Sequence, residues 1–99
     1  MAHGALSHEA VDDVAVVIAD VAAGDEVRTV TLEGQALGIV KAVEAIPLGH
    51  KIALRDMSAG HEVIKYGRAI GLTTKAIGKG AHVHTHNVRS IRWETSTNE

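Results

Sequence analysis

Asp20-Val21-Ala22-Ala23-Gly24-Asp25-Glu26-Val27 returns as Asp56-Met57-Ser58-Ala59-Gly60-His61-Glu62-Val63, agreeing at five of eight positions. In each copy an apolar residue is followed three positions on by Gly, and three further on by Val. The physical reading is a strand end, a reversal and a new strand. The apolar side chain is buried where one strand stops, Gly supplies the positive φ that turns the chain, and Val opens the next strand. Ile77-Gly78-Lys79-Gly80-Ala81-His82-Val83 keeps those three positions without the flanking acids and is a candidate third copy. Turns this close together leave apolar runs of about four to eight residues, strand length rather than helix length. The pattern predicts strands near 14–18, 26–32, 37–41, 50–55, 62–65, 69–73 and 82–88. Two clear copies fall short of the three regular repeats a solenoid requires, so a compact fold of short strands and tight turns is expected.

Composition points the same way. At 99 residues the chain is one domain, and 45% of it is hydrophobic, yet it has no Phe, one Tyr (Tyr66) and one Trp (Trp93). The core must be aliphatic, and Val and Ile, which fit a pleated surface better than a helix, far outnumber Leu. The expected class is all-β. Residues 1–11 show no periodicity and read as a flexible tail, residues 12–92 as the domain, and residues 93–99 as a polar C-terminal tail. The net charge of −2 comes from interspersed signs with no Lys/Arg run or aromatic ladder, which argues against nucleic acid. Absence of Cys excludes disulfides and thiolate metal sites and suits a reducing compartment. The apolar stretch 14–23 is interrupted by Asp20 and too short to span a bilayer, so no membrane and a cytoplasmic location are expected.

Seven histidines stand in the chain, three of them in Gly80-Ala81-His82-Val83-His84-Thr85-His86-Asn87-Val88. In a strand, alternation places His82, His84 and His86 on one face. Same-face neighbours lie about 7 Å apart at Cα, so two imidazoles can converge on one ion or anion, whereas three in a row, spanning about 13 Å, cannot close on one metal. His84 and His86 are the candidate pair for a metal, a carboxylate or a partner's active site. The same pattern fits the solvated face of an edge strand, or one half-buried His without chemistry. A second cluster, Ile46-Pro47-Leu48-Gly49-His50-Lys51-Ile52-Ala53-Leu54, delivers His50 and Lys51 at the mouth of an apolar strand, where a cation can hold a carboxylate. Ordinary polar residues at a loop-to-strand junction look the same. Tyr66 and Gly67 read as a hairpin turn with an aromatic plug. Walker, Gly-x-Ser-x-Gly, His-Glu-x-x-His and dinucleotide-binding motifs are absent, which excludes self-contained catalysis of those kinds.

Three of these stretches resemble a known family when taken in order: Ile46-Pro47-Leu48-Gly49-His50-Lys51-Ile52-Ala53, then Val63-Ile64-Lys65-Tyr66-Gly67 with Ile70-Gly71, then Val83-His84-Thr85-His86-Asn87. They look like the signature of the SAF domain of altronate and galactarate dehydratases, over roughly residues 12–92. The related 3-sulfolactate sulfo-lyases have a small subunit of similar sequence, including an ending that Ser90-Ile91-Arg92-Trp93 resembles. The resemblance implies a β-clip fold and a small, non-autonomous lyase subunit, inactive alone, working beside a larger catalytic subunit. That subunit is expected to hold a divalent metal, iron being the expected ion. It further implies a small hydroxy-acid substrate, His84 and His86 as catalytic or shared metal contacts, and His50 and Lys51 as substrate contacts. His82 lies just before the shared core of the motif. Water or sulfite is the leaving group according to which relative is followed. A stand-alone SAF-type binding module, or a structural homo-oligomer, is the alternative of a different class.

Overall fold

The computed structural model describes residues 3–9, 11–65 and 68–90, and every regular element among them is a β-strand. Nine strands are present among the described residues: β1 (His3–Ser7), β2 (Val14–Val17), β3 (Glu26–Thr31), β4 (Ala36–Lys41), β5 (Lys51–Ala53), β6 (Glu62–Lys65), β7 (Arg68–Thr73), β8 (His82–Val83) and β9 (Val88–Ser90). Six form one sheet in the order β4-β3-β1-β2-β5-β8, and three form a second in the order β6-β7-β9. All pairings are antiparallel except β1 with β3. With no helix among the described residues, none is long and apolar enough to cross a membrane.

The turns that the repeat predicts are four, not two or three. Gly24, Gly49, Gly60 and Gly80 all have positive φ, between 82° and 92°. Each sits third in a turn closed by a backbone bond: Asp25 N to Ala22 O, His50 N to Pro47 O, His61 N to Ser58 O, and Ala81 N to Gly78 O. The apolar residue heading each copy forms a two-bond antiparallel bridge, Val21 with Ile46 and Met57 with Ile77. Asp20 and Asp56 then play matching parts. Asp20 Oδ1 accepts from Leu48 N and Asp56 Oδ1 from Lys79 N, each at 2.8 Å. The first acid of each repeat therefore caps the turn of the partner copy, which is the physical content of the echo.

β2 is a central strand. Its alternation sends Ala15 and Val17 into one core with Ala5, Val21, Val27, Val40, Ala42, Ile46 and Ile52, and sends Val14 into a second with Ala53, Met57, Val63, Ile77, Ala81 and Val83. A strand buried on both faces reads as an unbroken apolar run, as 14–17 does.

The structure corrects two expectations. Residues 1–11 are not all tail, because β1 lies in the interior of the six-stranded sheet. It buries the small residues Ala5 and Ser7 and exposes Leu6, so its polarity runs against the usual reading. The single strand expected at 82–88 is two short strands separated by a turn at 84–87. Tyr66, Gly67, the 91–93 ending and the 93–99 tail lie outside the described residues.

Candidate functional site

Two of the repeated turns build the site. The turn at Pro47–His50 ends on His50, and the turn at Gly78–Ala81 leads directly into His82. β5 and β8 then pair with Ile52 opposite His82 and Lys51 opposite Val83, which draws the two turns to one sheet edge. His50 Nδ1 and His82 Nε2 stand 2.8 Å apart, a hydrogen bond in which one nitrogen carries the proton and the other accepts.

His84 joins them because the chain turns there. Asn87, only 3% exposed, accepts from His84 N at 3.0 Å through Oδ1 and donates through Nδ2 to His82 O at 2.8 Å. Asn87 N and Val88 N both donate to His84 O. The His84 ring stacks on His50, with centroids 4.0 Å apart and planes 22° apart. One nitrogen from each of His50, His82 and His84 lies within 4.8 Å of the other two, and all three residues are half-buried. His86 is exposed and its ring sits 4.9 Å from that of His82, centre to centre. The rings of the sequence-derived pair, His84 and His86, thus both lie against His82, at 5.8 and 4.9 Å between centroids, with His50 stacked on His84.

Burial, then the neighbouring His86 and His50, hold the His82 pKa below the ordinary imidazole value, although Glu44 acts in the opposite direction. His84 is held low as well, by desolvation first and then by His50, Lys51 and His86. Both effects favour the neutral ring, whose lone pair is open to a proton or an ion. Lys51 and His84 border a cavity of about 120 Å³ that Thr85 and Ser90 help to line above Val83 and Val88. Sequence reasoning had His50 and Lys51 as carboxylate contacts. The structure sets Lys51 at this cavity and His50 within the imidazole cluster.

Two residues of the site went unassigned at the sequence level. His82 has no role in the sequence reading because it lies just before the shared core of the motif and three imidazoles on a straight strand do not close on one ion, and Asn87 is quoted within a motif without a role. The signal for both was present, since Asn after His-x-x favours a turn over a continuing strand. An all-nitrogen donor set of three imidazoles, with no carboxylate among its donors, fits a borderline transition metal better than magnesium or calcium.

A second polar group, away from this edge, is structural. The buried Asp13 carboxylate accepts from His61 Nε2 and Ile64 N, each at 2.9 Å, and pairs with Arg55 Nε at 3.3 Å. It fastens the start of β2 to β6.

A profile of the altronate/galactarate dehydratase SAF domain matches residues 3–91. The alpha subunit of (2R)-sulfolactate sulfo-lyase from Chromohalobacter salexigens is 39% identical over 87 residues, which are 87% of this chain and 93% of that subunit. The corresponding subunit from Paracoccus pantotrophus is 50% identical over 48 residues, 48% of this chain and 72% of its own. Altronate dehydratase from Escherichia coli is 44% identical over 85 residues, 82% of this chain but only 15% of that enzyme. The curled all-β architecture, the histidine-bearing edge and these matches agree, and the chain belongs to the altronate/galactarate dehydratase SAF domain family.

Proposed function

We propose that this chain is the small subunit of a cytoplasmic hydroxy-acid lyase, a dehydratase of the altronate/galactarate type, and that it completes an active site whose other half lies on a larger catalytic chain. The observation that carries this reading is the convergence of His50, His82 and His84 at an open sheet edge beside Lys51. Elimination next to a carboxylate needs a cation for the carboxylate, a base for the α-proton and an acid for the departing group. Lys51 faces the small cavity and supplies the first. A neutral imidazole takes the α-proton, and the electrons of the C–H bond pass into the carboxylate as an enediolate. Those electrons return to form the double bond as the bond to the leaving group breaks at the neighbouring carbon, and hydroxide departs as water once protonated. Exposed His86, whose ring lies 4.9 Å from that of His82, is the proposed carrier of that proton. A divalent metal, when bound at such a junction, supplies Lewis acidity for the enediolate and the departing oxygen.

A second reading has a specific observation behind it, because the relative whose own length this chain nearly spans is a sulfo-lyase alpha subunit. There the same proton abstraction expels sulfite instead of water. Co-expression with a larger lyase chain, followed by assay on a panel of sugar acids and 3-sulfolactate, separates the two by the product released. In the assembled enzyme, Ala at His84 or His86 is expected to lower kcat by at least about 10²-fold, the scale of a positioned acid–base or ligand group. Full turnover by the His84→Ala/His86→Ala double variant would show this edge to be a solvated strand end and would leave a binding module as the better description.

A further inference from the structure

The three imidazoles are arranged as a ligand set on this chain alone. We propose that the chain by itself binds one borderline divalent transition metal through a nitrogen of each of His50, His82 and His84, with the remaining coordination positions open to solvent. Only the catalytic use of that metal rests on the lyase reading; the binding rests on geometry.

Three features support it. The first is distance. Two nitrogens on one ion at about 2.1 Å lie about 3.0 Å apart at a right angle and about 3.4 Å apart in a tetrahedron. His50 Nδ1 and His82 Nε2 already stand 2.8 Å apart, and the third donor is within 4.8 Å of both, so small side-chain rotations close the set.

The second is preorganisation. His50 follows the positive-φ Gly49, and His82 follows the turn made by Gly80. The side chain of buried Asn87 holds the backbone at both His82 and His84. Two residues are thus held by the paired turns and β5–β8, and the third by Asn87, so little conformational entropy is left to lose on binding. The third is charge and openness. Glu44 Oε2 accepts from His82 N at 3.0 Å, which sets a carboxylate beside the three imidazole donors without entering the set. Half-exposed donors leave an open face, as in sites where metal meets substrate, whereas structural zinc sites are closed by four protein ligands.

The test uses the full, untagged chain, stripped with chelator and titrated with zinc by calorimetry and with cobalt(II) by visible absorption, with magnesium as the oxygen-preferring control. One equivalent per chain of zinc and of cobalt is expected, with nitrogen-ligand d–d bands for cobalt and no magnesium heat. His50→Ala, His82→Ala and His84→Ala are each expected to weaken zinc by about 10–100-fold or more, while His86→Ala stays within about threefold. Circular dichroism of each metal-free variant separates ligand loss from unfolding, and the Gln variants, which keep volume without an imidazole, repeat the comparison. Absence of saturable zinc binding, or loss confined to His86→Ala, would overturn the proposal. Turnover of a reconstituted complex by a chain that binds no metal would leave the lyase reading standing with the ion on the larger subunit.

Discussion

Asn87 is bonded at both ends of its amide, to His84 N and to His82 O, and is almost fully enclosed. Asn87→Ala removes an acceptor and a donor together and leaves two backbone groups without those partners. The expected cost is about 1–3 kcal/mol. For a domain of this size that is a fall in Tm of very roughly 4 °C or more, read by thermal unfolding of the free chain. An unchanged Tm would mean that the turn at 84–87 holds without the amide. Asn87 also marks where residue-level reading stopped. The three histidines were legible as a cluster from spacing alone, but period-2 alternation carried past Val83 assigns them to one straight face. The backbone instead turns at His84, because a polar amide three residues on offers the chain a better partner than a continuing ladder. The contact between His50 and His82, residues 32 apart in sequence, is set by strand pairing and lies beyond any local pattern.

At the scale of elements, the two turn pairs are held by the same device, and that equivalence makes a quantitative expectation. Asp20 and Asp56 are exposed, and each carboxylate accepts one backbone N–H of the partner turn at 2.8 Å. Asp20→Ala and Asp56→Ala should each lower the unfolding free energy by about 1–2 kcal/mol, the worth of a charged cap on a backbone donor. The two caps share no partner, so the double variant should fall within about 0.5 kcal/mol of the sum. Urea unfolding of the three variants measures this, and a negligible effect at either acid would break the claimed equivalence. The first two copies were legible because Asp, Gly, Glu and Val recur together. The copy at Ile46-Pro47-Leu48-Gly49 was hidden because Pro, His and Lys replace those neighbours, although its apolar residue and Gly keep the spacing. Strands were found wherever an aliphatic run was buried. β1 was missed because what it buries is Ala5 and Ser7.

Across the whole molecule, two small aliphatic cores lie on opposite faces of β2 and leave the site at an edge. All-β class was legible in the composition, since short β-branched runs bounded by Gly leave few other ways to bury apolar surface. How the six-stranded sheet threads was not, because the parallel pairing of β1 with β3 depends on contacts with no local signature. The cavity at the site measures about 120 Å³, well below the roughly 300–1,000 Å³ of sites that enclose a small ligand. Larger depressions of about 340 and 430 Å³ lie elsewhere, against Arg55 and Lys79 and against His8 and Glu9. With His50, His82 and His84 half-exposed, water reaches the donors, and charge developing in a transition state there would be screened rather than held by fixed dipoles. On the proposed lyase reading, elimination at this edge therefore requires a surface of the larger chain to close over it. The isolated chain is expected to give no product above background from any sugar acid or from 3-sulfolactate, with or without added divalent metal, measured by release of the keto acid or of sulfite. Adding the larger lyase chain should bring turnover in proportion to complex formed. Steady product formation by the purified chain alone would show that the edge is a complete site and would overturn the two-chain view.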